Sequence, residues 1–364
     1  MALIPDDFVR RLVDDTDLVS LVGEAVELKK AGSEYTACCP FHDEKTPSFT
    51  VSPRKQFYHC FGCGAHGNAI DWEMEYGRRD FPGAVEALAA RLGREVPRER
   101  ESTEQAAQRK QRASLKETLR QAAAVYCRQL RISGEETAVA YLRDERGLSG
   151  ETAHDFLLGW APDDYGTLRD DPAFDNDALF EAGMLAESED GRRYDRFRGR
   201  VMFPIREVSG AVVGFGGRLI GDGKPKYLNT NETGIFKKGR LLYGLHEYAR
   251  DNQKQATLLV VEGYMDVVML AEHDISAVAT LGTAITPEQV ALAYRHTQAL
   301  MFVFDGDDAG QKAMWKAFEN VLPHLDGDNG AKFVILPDGR DPDDMARELG
   351  GQAFLTWLSE HALT

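Results

Sequence analysis

The chain has 364 residues, enough for two or three domains with a core each. Its formal charge of −16 argues at first against a nucleic-acid partner, no apolar run approaches the ~18 residues of a membrane span, and five cysteines, an odd number, speak against a disulfide framework. The amino terminus, MALIPDDFVRRLVDD, is charged within its first ten residues and has no apolar signal core, so the expected compartment is the cytoplasm.

Residues 5–30 read as a helix with Phe8, Leu12, Leu18 and Leu21 on one face, followed by a strand through Val26 and Leu28. Cys39-Pro40-Phe41-His42 comes next, and seventeen residues later Cys60-Phe61-Gly62-Cys63. Two close ligand pairs across a hairpin-length spacer suit tetrahedral Zn²⁺, each pair on a tight knuckle. Cys39, His42, Cys60 and Cys63 fill the four positions, so one zinc is expected, in a structural role. Adjacent side chains on an extended strand point to opposite faces, and the spacing to His42 selects Cys39 over Cys38. Cys127 reads as a core residue, and His59 and His66 as neighbours of the site.

Between the pairs, 48–51 and 56–60 read as strands joined at Pro53-Arg54-Lys55. Phe49, Phe57 and Phe61 either stack bases of single-stranded DNA, beside Lys45, Arg54 and Lys55, or fill the ribbon's small core. CCPFHDEKTPSF and FYHCFGCGAHGNAIDW resemble the CHC2-type zinc-binding domain of bacterial primases. Helices through Trp72–Tyr76 and Gly83–Leu92 complete this domain, 1–97. The charged run Pro97–Arg112 is either a linker (98–113) or the exposed start of a helix.

Residues 114–146 are helical in pattern, broken at Ser133-Gly134, and Ser149 is placed to cap a new helix that ends at Leu158–Pro162. The acidic total then hides a local reversal. From Arg192 to Arg240 twelve Lys/Arg face four Asp/Glu. On a strand, the alternating Arg196, Arg198 and Arg200 would share one face. Lys224, Lys226, Asn229, Lys237 and Lys238 follow in a Gly-rich stretch, and such a positive face suits a nucleic-acid backbone and a nucleoside triphosphate. Gly214–Gly217 opens no helix and is not read as a phosphate loop.

The last third repeats one unit three times. An apolar strand-like run ends at a carboxylate: Leu258–Val261 before Glu262, Leu300–Phe304 before Asp305 and Asp307, and Phe333–Leu336 before Asp341 and Asp343. Alternation with helix-length segments predicts a parallel sheet whose strand ends carry all five carboxylates. Hard oxygen ligands so gathered call for Mg²⁺ or Mn²⁺ and phosphoryl-transfer chemistry. Asp266, Asp308 and Asp344 fall on the following helices, where the helix dipole accounts for them equally.

EGYMDV, DGDDAG and DPDD resemble the TOPRIM domain, and the three regions in order resemble the bacterial DnaG-type primases. That resemblance implies an α/β protein: a zinc ribbon, a mixed basic subdomain over 114–250, and a Rossmann-like TOPRIM sheet over 251–345, trailed by 346–364. It implies template and nucleotide contacts for Arg146, Arg200, Lys224, Lys226, Tyr227 and Lys237. Glu262 becomes a metal ligand or general base, Asp305 and Asp307 hold Mg²⁺, and Asp341 and Asp343 complete the rim, with two or more ions. It further implies a monomer that makes short RNA primers from ribonucleoside triphosphates on single-stranded DNA. The replicative helicase DnaB is the partner of full-length family members, and its binding domain is expected to be missing here. A type IA topoisomerase would need a nucleophilic tyrosine in a further large domain, and a phage primase–helicase a GxxxxGK[ST] loop. A non-catalytic zinc-ribbon protein would not need carboxylates at successive strand ends.

Overall fold

One capping side chain divides the helix expected over 5–30. Asp17 accepts hydrogen bonds from the N–H groups of Val19 and Ser20, which separates α1 (Asp6–Asp15) from α2 (Leu18–Gly23). Val26 and Leu28 lie in the turn before β2 (Lys29–Ala31) rather than in the strand. The computed structural model describes residues 2–97, 99–100, 103–133, 135–250, 257–282, 284–325, 329–337 and 339–363, so Asp338 of the third acidic motif falls outside it. The chain divides into two units, 1–108 and 109–364. Among the described residues no helix is long and apolar enough to cross a membrane.

In the first unit, β2, β3 (Glu34–Ala37), β4 (Phe49–Ser52), β5 (Phe57–Cys60) and β6 (His66–Gly67) form an antiparallel ribbon in that order. Phe49 lies opposite Cys60 and Val51 opposite Tyr58, so all four share the buried face. Phe41, Phe49, Tyr58 and Trp72 pack ring against ring, with Trp72 supplied by α3 (Ala69–Glu75) and the core closed by α4 (Phe81–Arg91). A two-residue ladder of β1 (Ala2–Leu3) with β7 (Glu99–Arg100) accompanies them. The aromatics of the ribbon do not all join its core. Phe49 is fully buried, while Phe57 and Phe61 stay exposed.

From Thr103 the charged run is already helical, as part of α5 (Thr103–Ile132). Ser149 caps α6 (Gly150–Asp155) as expected, through the N–H of Thr152. Leu158–Pro162 is not a helix end. Leu157 turns left-handed (φ 52°) and delivers the chain into β8 (Gly159–Ala161). After α7 (Asn176–Glu181), β9 (Leu185–Glu187) and β10 (Arg193–Asp195) make a hairpin. An antiparallel sheet follows in the order β13 (Tyr227–Asn229), β12 (Val212–Leu219), β11 (Arg200–Arg206), β8. The glycines 214–217 lie inside β12, where a Cβ on Gly216 would come within 2.5 Å of the Tyr264 ring.

Beyond α8 (Leu245–Arg250), the repeating unit appears as expected: β14 (Thr257–Val261), α9 (Tyr264–Glu272), β15 (Ala277–Ala279), α10 (Pro287–Tyr294), β16 (Ala299–Phe304), α11 (Asp308–Val321), β17 (Gly330–Ile335), α12 (Pro342–Leu349) and α13 (Gly351–His361). The strands are parallel, in the order β15-β14-β16-β17. The fold is therefore the α/β arrangement expected, with a zinc-ribbon unit, a basic antiparallel sheet and a parallel sheet.

Candidate metal centres and active site

The four sulfur and nitrogen ligands named from the sequence converge. One ligand atom each from Cys39, His42, Cys60 and Cys63 lies within 4.8 Å of the others, and no other set of three or more does so among the described residues. Cys39 Sγ is 3.7 Å from Cys63 Sγ, and Cys60 Sγ is 3.7 Å from His42 Nδ1. A tetrahedron with metal–sulfur bonds of about 2.3 Å has edges near ~3.8 Å, so the donor set fits Zn²⁺. The knuckle N–H groups of Gly62 and Cys63 point at Cys60 Sγ, and that of Phe41 at Cys39 Sγ. Burial pushes the Cys39 thiol up to about 12; at Cys60 the Ser48 hydroxyl and the knuckle amides outweigh burial and hold it at about 7. Cys38 is exposed, as expected.

Sequence reasoning missed Glu44. Its carboxylate lies 3.3 Å from His42 Nε2 and accepts from the backbone N–H of Cys39 and from Ser48 Oγ. It orients the imidazole so that Nδ1 faces the sulfurs, and Gly62 leaves the room, since a Cβ there would sit 2.6 Å from His42 Nε2. Its place two residues after His42 in CPFHDE was the available signal.

In the second unit, strand ends deliver the carboxylates. Glu262 follows β14, Asp305 and Asp307 follow β16, and Asp341 and Asp343 follow β17. The loops carrying them touch. Gly306 N–H reaches Arg340 O at 3.4 Å, and a Cβ on Gly306 would lie 2.3 Å from Leu336 O. Asp307 Oδ1 caps α11 through Gly310 N–H at 2.7 Å, and Asp341 Oδ1 caps α12 through Asp344 N–H at 2.8 Å.

These carboxyls feel one another's charge. Burial raises the Asp305 carboxyl to about 6, with the charges of Glu262, Asp341 and Asp307 adding to it. Burial also raises Glu262, against the help of the Asp305 N–H. Asp266, which the sequence left open, is raised well above the usual carboxylate range, by burial and then by Asp341 and Asp305, while its Oδ2 accepts from Gly263 N–H. Such mutual repulsion suits a cation. The donors are all hard oxygens, and Asp343 Oδ1 is buried without a protein partner, so their chemistry suits a divalent ion of the magnesium type, although no three of them converge as closely as the zinc ligands do. A cavity of about 340 Å³ lies against Glu262, lined by Thr280, Gly282 and Phe304.

Asp343 does not stand open on the rim. It is 1 % exposed, and its Oδ2 accepts a hydrogen bond from Arg146 at 2.7 Å. Arg146 in turn donates to Tyr141 Oη at 2.7 Å. Tyr141 is flanked by a second guanidinium, Arg218, which also bonds the Tyr227 hydroxyl. Neither Arg218 nor Tyr141 was singled out from the sequence.

The shared arginine face is a correction. Arg196 and Arg198 lie in the connection between β10 and β11, not on a strand, so their alternation sets no common face. Arg196 donates to Asn231 Oδ1 and Asn229 O, and Arg198 lies over the Tyr165 and Tyr194 rings. Arg200 is buried, with the carbonyls of Gly217, Pro225 and Lys226 around its guanidinium. Asn229 is engaged on both sides: Tyr264 Oη donates to its Oδ1 at 2.6 Å, and its Nδ2 donates to Leu281 O at 3.1 Å. Lys224 and Lys226 are exposed, Lys237 pairs with Glu232 at 3.2 Å, and Lys238 carries its carbonyl to Gln289 Nε2.

Comparison with known proteins agrees with this layout. Residues 4–104 match the CHC2 zinc finger family, 125–249 the DNA primase catalytic core N-terminal domain, and 259–346 the Toprim-like family. The DNA primase of Pseudomonas aeruginosa is 48% identical over 99% of this chain and 55% of its own length. That of Escherichia coli K12 is 48% identical over 96% of this chain and 61% of its own. The chain thus spans a little over half the length of these curated relatives. Among solved structures, the DnaG primase catalytic domain bound to ssDNA is 43% identical, with a TM-score of 0.66 over 70% of this chain and 82% of that one. The Aquifex aeolicus primase, zinc-binding and RNA polymerase domains, is 34% identical, with a TM-score of 0.62 over 98% of this chain and 86% of that one. With both the sequence relatives and the zinc, core and Toprim segments in the same order, the chain belongs to the bacterial DnaG-type DNA primase family.

Proposed function

We propose that this chain is a nucleotidyltransferase that starts RNA chains de novo on single-stranded DNA, joining ribonucleoside triphosphates into primers with release of pyrophosphate. The observation that supports it most is the placing of Glu262, Asp305, Asp307 and Asp341 at successive ends of one parallel sheet, with the Glu262 and Asp305 carboxyls raised by burial and then by neighbouring carboxylate charge. Its setting is the cytoplasm, and the acting form a monomer.

Glu262, Asp305 and Asp307 would hold Mg²⁺ or Mn²⁺, with Asp341 and the buried Asp343 completing the set; bound there, the ions would supply charge to the transferring phosphate. The chain's own groups do the rest. Glu262 takes the proton of the attacking 3′-hydroxyl as its oxygen bonds the α-phosphorus and the bond to pyrophosphate breaks. Lys224, Lys226 and Lys237 offer point charges to the triphosphate and template backbone. Arg146 and Arg200 act mainly by position, the one on Asp343 and the other inside the basic sheet. Arg196, Arg198, Tyr227, Asn229 and Lys238 shape the same region, Asn229 by joining β13 to the loop at Leu281. The zinc ribbon, 1–97, presents Phe57 and Phe61 to template bases; the segment 114–250 holds the template, and 251–345 carries the chemistry.

The test is primer synthesis on single-stranded DNA with labelled ribonucleotides and Mg²⁺ or Mn²⁺, comparing the parent chain with Glu262→Gln. Short RNA from the parent alone supports the reading. Equal product from both removes Glu262 from the chemistry.

A further inference from the structure

On a part of the second unit that the carboxylates do not use, a half-open trough of about 1150 Å³ runs along α5. One wall is a stripe of α5 in which Ala123, Ala124 and Cys127 leave a shallow bed. The other carries Leu142, Leu148 and Leu157. A helix about 10 Å across that rises 1.5 Å per residue occupies roughly 120 Å³ per residue, so the trough takes roughly nine or ten residues of one.

The rim reverses the charge of the molecule. Among the described residues, Lys116, Arg120, Arg128, Arg131 and Arg143 line it with one carboxylate, Glu117, in a chain whose total is −16. Four of these cations already hold a carboxylate: Lys116 holds Glu207, Arg120 holds Glu117 at 2.7 Å, Arg128 reaches Asp171 at 3.9 Å and Arg143 holds Asp144 at 2.7 Å, with the three arginines largely exposed. Ion pairs of that kind exchange readily for a better-placed partner.

Leu157 adds a second mark. The bond from Leu158 N–H to Ala153 O closes α6 around Leu157, which is held at φ 52°, where glycine is the usual residue. A leucine there strains the backbone, and its side chain lines the trough. Among the described residues no phenylalanine, tyrosine or tryptophan lines it, so it offers bases no ring to stack on. A second copy of the chain is a poor occupant too. Its exposed aromatic pair on α11, Trp315 and Phe318, is flanked by Lys312 and Lys316 as well as Glu319, not by the acidic flanks that the rim would favour.

We propose that this trough docks an amphipathic helix of a partner protein, apolar on the face that enters and acidic along both flanks. The docking does not depend on the reaction proposed above.

A fluorescein-labelled 18-residue peptide, leucine at helical spacing and glutamate on the opposite face, serves as the probe. Its anisotropy is read with the full chain, beside a scrambled peptide of the same composition and a version with lysine for glutamate. The patterned acidic peptide is expected to bind at micromolar concentration and to protect 113–131 and 148–158 from hydrogen exchange. Arg120→Glu with Arg131→Glu should weaken it about tenfold. Leu157→Gly should weaken it several-fold while the melting temperature holds or rises, separating lost contact from lost fold. Binding no tighter than the scrambled or lysine peptide, protection elsewhere, displacement by a single-stranded oligonucleotide, or no binding at 100-fold the expected concentration would each overturn the proposal.

Discussion

Arg146 and Asp343, far apart in sequence, meet at 2.7 Å, and the carboxylate is almost wholly removed from solvent. A basic residue expected on nucleic acid and an acidic one expected on metal are thus first of all each other's partners. The pair ties the turn before α6 to the start of α12.

Breaking it from one side should be costly. Arg146→Met leaves a buried carboxylate without its cation and is expected to lower unfolding free energy by about 3 kcal/mol. Arg146→Met with Asp343→Asn should recover most of that loss in urea melts. Equal losses from the single and double variants would show that the two side chains are not coupled.

The acidic cluster gives a pH dependence with a defined sign. Asp305 is raised in the folded chain to about 6, from about 4 when unfolded, so the folded state holds its proton more tightly. Its contribution is full below pH ~4 and is lost as pH rises through 6. Without divalent ions, Asp305→Asn should therefore be more stable than the parent at pH 8, by about 1–2 kcal/mol, and the gap should close at pH 4. Added Mg²⁺ should stabilise the parent more than the variant. Thermal melts across that range, with and without the ion, measure both.

Glu44 predicts a zinc effect without a change of ligand. Glu44→Gln keeps the volume but weakens the hold on His42 Nε2, and zinc should be lost to a competing chelator about 10–100-fold more readily. Cys60→Ser, which removes a ligand, should release the metal and unfold the ribbon. A colorimetric zinc assay with circular dichroism distinguishes the two.

Arg200 and Lys226 should separate fold from binding. Arg200→Ala leaves three carbonyls without their donor and is expected to act on stability. Lys226→Ala should leave stability within about 0.5 kcal/mol and weaken single-stranded DNA binding, reducing the salt slope by about 0.7. Fluorescence titrations at several salt concentrations check this.

What the sequence made readable was local. The Cys/His pairs needed only their spacing, and the strand-end carboxylates only an apolar run and a stop. Ser149 capped its helix as its position suggested. Where the reading went wrong, geometry depended on something non-local. Alternation of Arg196, Arg198 and Arg200 means a shared face only on a strand, and Gly199 at φ 59° turns the chain there instead. A leucine in a glycine conformation hid the strand after it. Asp17 sat inside a convincing helical pattern, and its cap outweighed the pattern. Glu44, Tyr141 and Arg218 gain their roles from what folds next to them.

The ring of Tyr264 lies against Gly216 of β12, and its hydroxyl holds Asn229 of β13. These three positions form one spatial unit. A lineage that gained a side chain at 216 would have to surrender the aromatic ring next to Glu262, and one that lost the amide at 229 would leave that ring without its anchor. Substitutions in the glycine-rich strand and in the EGYMD segment should therefore accumulate together or not at all.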